Sequence, residues 1–381
     1  MAGPLLTDRE LGRALLARQM LLERRDDVSV RHAVEDLLGL QAQAPQPPYY
    51  ALWSRLDAFD PHELGRMLTD REMVRLTLMR GTVHLVTVED ALELRPLVQQ
   101  VIERGFNGAF RRRIEGVDVE KLAAATREIL RQEAGHIRGE SPKGLTGREL
   151  GARLIERGIG DDLEAIGNAV RVYTALVQLP PRGVWRQGGQ ARYATIESWC
   201  GRPLNDDPSI DEIVLRYLQA FGPASVMDAQ NWSGLTKLKD VFERLRPQLA
   251  TFAGEDGREL FDLPDAPRPD ADTPAPPRFL GEFDNVLLGH ADRARIMPEG
   301  LTPWMDPTTG NRHVNNLLID GVLAGAWWLE REKRSGPATM RIKLFGGLSR
   351  VHARTVETEG ERMLDFAAAG SPTAGVSFEA D

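Results

Sequence analysis

Cysteine, lysine and long apolar runs are scarce in this chain, and each scarcity removes a class of protein. The single cysteine, Cys200, can make neither an internal disulfide nor a thiolate zinc site, which suits a reducing compartment. No apolar run approaches the roughly 18 residues that span a bilayer, and Asp8, Arg9 and Glu10 break the stretch that a secretory signal would need. The expectation is a cytoplasmic protein with no membrane contact. The seven histidines include no His-x-x-x-His or His-Glu-x-x-His pair, and no glycine-rich loop runs into Lys-Ser or Lys-Thr. Neither a metal nor another cofactor is therefore expected. What is present, 42% hydrophobic and 27% charged residues over 381 positions, describes a globular chain of two or three units at about 150 residues each.

The net charge of −8 is concentrated in two places. Residues 255–285 hold nine acids against three arginines, and the stretch from 351 onward holds six acids against two, so the rest of the chain is slightly basic. Of 48 basic residues only six are lysine. Arginine suits bidentate phosphate contacts, yet a GC-rich genome favours it too, so charge neither supports nor excludes a nucleic-acid partner.

Three capping signatures, Thr7 with Glu10, Thr146 with Glu149 and Ser209 with Glu212, each open an amphipathic helix. In the first unit helices near 8–24, 30–40 and 61–68 precede Val74 to Val86, which alternates on both sides of Gly81. In the second, helices from Thr146 to about Arg157 and from Leu163 to Leu179 precede a hairpin, Val184 to Tyr193, turning at Gly188-Gly189. In the third, helices near 210–220, 224–231 and 236–249 precede strands at Thr251–Ala253 and Glu259–Phe261 about Asp256-Gly257. Helix, helix, recognition helix and hairpin is the winged-helix order. The expectation is an α+β chain of three tandem winged-helix units, 1–135 (with connecting helices near 88–105 and 118–134), 136–204 and 205–264. Six prolines from Pro264 to Pro277 mark a linker over 265–278. Strands at Phe283–Leu288, Asn315–Ile319, Val322–Leu329 and Thr339–Leu344 then predict a small β-barrel-like domain over 279–369, and 370–381 reads as a flexible tail.

The most informative stretch runs from Leu37 to Tyr50. A helix ending near Leu40 meets Gln41 and Gln43, and Pro45 biases Ala44 toward an extended backbone. Residues two apart share one side of an extended chain, so the two amides converge just past the helix end and can hold a water. Neither amide is a base at physiological pH. The same spacing also describes a solvated or capping pair. Asp36 is a candidate proton acceptor, with a solvated helix face as its alternative.

Three strings occur in order: Leu40-Gln41-Ala42-Gln43-Ala44-Pro45, Met79-Arg80-Gly81-Thr82-Val83-His84-Leu85-Val86, and Asp284-Asn285-Val286-Leu287-Leu288-Gly289-His290-Ala291-Asp292-Arg293. Together they closely resemble the winged-helix DNA glycosylases of the AlkZ/YcaQ family, from about residue 8 to about 345. The resemblance implies a C-shaped chain of tandem winged helices with a small C-terminal β-barrel, acting on double-stranded DNA and removing alkylated purines. Within that family a Gln-x-Gln form is linked to self-resistance in producers of DNA-alkylating natural products, and a Gln-x-Asp form to broader repair. Gln41 and Gln43 match the first and are then the catalytic pair, in a monofunctional glycosylase for bulky N7-alkylguanine and interstrand crosslinks.

Further residues are candidates for the DNA-binding face. His84, on an alternating strand, is either a satisfied structural histidine or a DNA contact. His290, Asp292 and Arg293 form a compact polar cluster, either a structural corner or DNA-facing. Trp304 to His313 reads as a projecting hairpin with Asn311 and Arg312 near its tip, suited to the minor groove or else a plain surface turn. Arg111, Arg112 and Arg113 suit the phosphate backbone better than base edges. Tyr49, Tyr50 and Trp53 open an apolar helical run and fit packing. The rival readings are a non-catalytic winged-helix regulator and a protein that sequesters a toxin. A regulator normally reads a palindrome as a dimer, whereas three unlike units fit monomeric wrapping, with no protein partner implied.

Overall fold

The computed structural model describes residues 3–134, 143–298, 300–301, 314–331, 333 and 336–379. These residues form a mixed α+β fold with sheets of three, five and six strands. Local chemistry explains most helix starts. Thr7 and Thr146 each accept a hydrogen bond from the backbone of a glutamate three residues on, whose carboxylate returns one to the cap, and Ser209 accepts from the Glu212 N–H. A further cap of the same kind, Ser225 with Asp228, starts helix Val226–Ser233.

The hairpin expected around Gly81 is present, as strands Met73–Thr77 and Val83–Thr87. So is the third-unit pair, Ala250–Gly254 with Glu259–Asp262, which the chain start joins through Leu5–Leu6. The second hairpin differs from expectation. Its strands are Leu176–Gln178 and Arg192–Thr195, and Val184 to Arg186 lies in the connecting turns. Trp185 is buried there because its ring packs at 4.8 Å from Tyr49 and 5.0 Å from Phe366, a tertiary demand that overrides the local alternation. Leu76 pairs with Val177, so strands from the first and second stretches share one six-stranded sheet.

The C-terminal region also corrects the sequence reading. Its strands run in the order Arg278–Leu280, Asn315–Ile319, Val322–Glu330, Ala338–Leu344 and Thr373–Phe378, an open sheet rather than a barrel. Helix Arg350–Ala367 covers one face, burying Val356, Met363 and Leu364 against Phe279, Trp327, Met340 and Ile342. That helix supplies the crossover that a parallel strand needs, so Thr373–Phe378 pairs in parallel with Ala338–Leu344 where a flexible tail was expected. The stretch read as a strand over 283–288 is a short helix, Asn285–Leu288, because the Asp284 carboxylate accepts from the Val286 N–H and caps it.

Asp284 does more than cap. It forms a fully buried bidentate pair with Arg55, at 2.7 and 2.9 Å, joining helix Pro47–Arg55 to the C-terminal region. Arg18 and Asp262 make a second buried pair at 2.7 and 2.8 Å, joining helix Asp8–Arg18 to the third-unit hairpin. Removing one partner strands the other charge in a low dielectric, which costs about 3–5 kcal/mol. Asp284→Ala should therefore lower unfolding stability by about that amount, read as a shifted urea midpoint with unchanged slope. An unmoved midpoint would contradict the assignment of this pair as a structural joint.

Candidate active site

Helix Val30–Asp36 ends earlier than its sequence pattern indicates. Leu38 and Gly39 turn the chain at φ of 53° and 85°, with the Leu38 N–H donating to Glu35 O and the Gly39 N–H to Val34 O. A Cβ at position 39 would lie 2.4 Å from Val86 Cγ1, so only glycine lets the chain close onto the neighbouring strand. The Asn285 amide donates to Leu37 O at 3.0 Å and Gly39 O at 2.8 Å, fixing the turn from the C-terminal side.

Leu40 and Gln41 then pair as a two-residue strand with Leu85 and His84. Ala42, between the glutamines, is pinned twice: its N–H donates to Val83 O at 2.7 Å, and its carbonyl accepts from the Arg75 guanidinium at 2.7 Å. Gln41 ends that two-residue strand, and Gln43 lies in the bend just after it. Gln41 is buried and its Oε1 accepts from Arg80 at 2.9 Å, while Gln43 is exposed and its Oε1 accepts from the Val83 N–H at 3.2 Å. Both partners are pure donors, so both amides are oriented with certainty as to oxygen and nitrogen. Each carbonyl oxygen keeps a second lone pair. A water donating to both would present its own lone pair outward.

The site is cationic. Burial, reinforced by Arg293, lowers the Arg80 pKa to about 10, and burial with Arg182 lowers that of Arg75 to about 10, so both stay charged at neutral pH. His84 is pushed down to about 3 by burial and by Arg80, and so is neutral. Its Nδ1 lies 3.0 Å from Thr82 O and therefore carries the proton. Among the described residues no carboxylate is hydrogen-bonded to either glutamine. Asp36 lines a cleft of about 280 Å³ with Glu35, Asp90, Glu212, Arg216 and Gln219, and neither glutamine lines it.

The other expected site residues are distributed unevenly. His84 and His290 are 2% and 1% exposed, so as placed neither has surface to offer DNA. His290 is a structural corner: Nε2 lies 2.9 Å from Phe221 O, and the neighbouring Ala291 and Asp292 N–H groups bond the buried Asp228 carboxylate. Burial lowers the His290 pKa as well. Arg293 lies close enough to depress the Arg80 pKa. Arg111, Arg112 and Arg113 are exposed on a separate 3-10 turn, where Arg113 is already held by Asp162 and Glu164. Asn311 and Arg312 fall outside the described residues. Tyr49, Tyr50 and Trp53 pack against Trp185, Trp327 and Phe366, as their apolar setting predicts. Sequence reasoning missed Arg75, Arg80 and Asn285. A charged residue between Val74 and Leu76 in a buried strand was the available signal for Arg75.

The family described as DNA glycosylase AlkZ-like matches residues 34–366, a range that contains both glutamines, the Met79–Val86 hairpin and the Asp284–Arg293 string. This chain belongs to the AlkZ-like DNA glycosylase family. An interstrand DNA cross-link repair glycosylase of Streptomyces sahachiroi is 25% identical to this AlkZ-like chain over 373 residues, covering 90% of it and 92% of the relative. The solved structure of Streptomyces sahachiroi DNA glycosylase AlkZ shares the fold, with a TM-score of 0.70 at 21% identity over 98% of this chain and 100% of that one.

Neutral buried histidines make stability depend on pH. His84 titrates near 3 when folded and at about 6.5 when unfolded, so the unfolded chain takes up the proton first. Its contribution is complete above about pH 6.5 and is lost as pH falls, at about 1 kcal/mol per pH unit. The stability advantage of wild type over His84→Gln should therefore narrow by about 1.5 kcal/mol between pH 6.5 and 5, read from urea midpoints. A constant difference would contradict a neutral, buried His84.

Proposed function

We propose that this AlkZ-like glycosylase releases bulky N7-alkylguanine from double-stranded DNA, interstrand crosslinks included, with Gln41 and Gln43 holding the attacking water. The observation that carries this reading is the pair of oriented amides in a cationic setting, with no carboxylate among the described residues hydrogen-bonded to either. Most glycoside hydrolysis needs two carboxylates, one of them to protonate the leaving group. An N7-alkylguanine needs no such acid. It is already cationic, so when the C1′–N9 bond breaks its electron pair neutralises the base, and the sugar becomes oxocarbenium-like. The water oxygen bonds C1′, and its proton passes to solvent. Orientation supplies the catalysis, which is what two fixed carbonyls can provide.

That the similar Streptomyces sahachiroi protein is an interstrand DNA cross-link repair glycosylase supports crosslinks as substrates. A role in self-resistance to a DNA-alkylating natural product accords with the Gln-x-Gln pattern. The family membership does not support a non-catalytic regulator. The reading places winged-helix units around the duplex in a C-shape, as a cytoplasmic monomer, with exposed Arg111 and Arg112 on the phosphate backbone and Arg293 beside the catalytic strand.

Two outcomes are expected. A Gln41→Ala, Gln43→Ala double variant should fold and bind DNA yet lose about 100-fold or more in excision rate, measured as abasic sites formed in N7-alkylated duplex; wild-type excision would remove the assignment. Binding to undamaged duplex should weaken steeply with salt, and Arg111→Ala with Arg112→Ala should flatten the slope by about two phosphate contacts. An unchanged slope would place the DNA path elsewhere.

A further inference from the structure

The turn that joins the two hairpin strands is unusual. Arg80 and Gly81 both have positive φ, 55° and 72°, as a type I′ turn requires, with the Thr82 N–H donating to Met79 O at 3.1 Å. Asn, Asp or Gly would occupy position 80 at lower cost, so an arginine held there in the left-handed region points to a role for its side chain. That side chain is half-buried and, among the described residues, has no carboxylate partner. Its guanidinium instead spans two carbonyls. One nitrogen donates to Gln41 Oε1 at 2.9 Å, and the other donates to the backbone carbonyl of Trp232.

The second carbonyl is a firm anchor. Trp232 is 5% exposed and packs at 5.1 Å from Tyr217 and 5.8 Å from Phe221. Gly234, at φ of 79°, ends helix Val226–Ser233 against the Arg80 backbone; a Cβ there would sit 3.4 Å from Arg80 Cα and 2.6 Å from Val101 Cγ1. The guanidinium is thus a planar bridge between a rigid aromatic core and one amide of the water-holding pair. Such a fork fixes direction as well as distance, which a single-point ammonium cannot.

We infer that Arg80 is a positioning residue: it holds the Gln41 amide with Oε1 inward on the guanidinium and its remaining lone pair toward the water, and so couples helix Val226–Ser233 to the geometry of attack. The inference rests on the reading of Gln41 as a water-holding residue. Because Arg80 acts through Gln41, the two should not be additive.

A double-mutant cycle on single-turnover release of 7-methylguanine by the full chain tests both claims separately. Gln41→Ala should slow excision by about 100-fold and Arg80→Ala by about 10- to 100-fold, with duplex affinity held within about threefold. The Arg80→Ala, Gln41→Ala double variant should be no slower than Gln41→Ala alone. Added guanidinium at millimolar concentration should restore part of the Arg80→Ala rate and none of the double variant's. Arg80→Lys keeps the charge but not the fork and should stay slow. Where Arg80→Ala does not fold, the cycle is run with Arg80→Lys. Additive losses, a wild-type rate for Arg80→Ala, or failure of both variants to fold would each overturn the positioning role while leaving Gln41 in place. A wild-type rate for Gln41→Ala would instead overturn the reading beneath it.

Discussion

The site depends on the pairing of two residues, Leu40 and Gln41, with Leu85 and His84. Two ladder positions are a weak strand by themselves. This one holds because it is clamped from three directions: Gly39 permits contact with Val86, Asn285 takes the carbonyls of Leu37 and Gly39, and Arg75 takes the carbonyl of Ala42. The three strings that stand far apart in sequence meet here. The first carries the glutamines, the second supplies the pairing strand and Arg80, and the third supplies Asn285 and, through Asp284, the buried pair with Arg55 that fixes the C-terminal region against the first helices.

Charge at the site runs opposite to the usual glycosidase. Arg75 and Arg80 lie beside the motif, and burial lowers the pKa of each without neutralising it at physiological pH. Holding two cations in a partly desolvated site is costly, and it disfavours a cationic sugar unless negative charge arrives with the substrate. DNA brings that charge on its phosphates. A lesion whose base already carries the positive charge needs no acid from the protein, and a neutral His84 supplies none. That no carboxylate among the described residues is hydrogen-bonded to either amide and that the proposed leaving group is cationic are thus two sides of one chemical argument.

Much of the local structure was legible in the sequence, because caps and alternation are local signals. Thr7, Thr146 and Ser209 start the helices they announce, and Val74 to Val86 folds about Gly81 as its pattern says. Gln41 lies in a paired strand and Gln43 in the bend after it, rather than past the fraying end of a helix. What could not be read depends on distant partners. Trp185 is drawn into a turn by Tyr49 and Phe366, Asn285–Leu288 forms a helix because Asp284 caps it and binds Arg55, and Thr373–Phe378 becomes a strand only once helix Arg350–Ala367 has crossed the sheet. The histidines show the same limit, since burial of His84 and His290 follows from packing and not from the neighbours in sequence.

The central claim is that Gln41 and Gln43, without a base, hold the nucleophile. The most direct measurement is a high-resolution structure of the full chain bound to duplex DNA carrying a cationic azasugar at the lesion position, a mimic of the oxocarbenium sugar, with free guanine base present. The account predicts one ordered water about 3 Å from both Gln41 Oε1 and Gln43 Oε1 and on the face of the azasugar opposite the base, with Arg80 still on Gln41. A water held by a carboxylate, or an azasugar seated away from both amides, would contradict it.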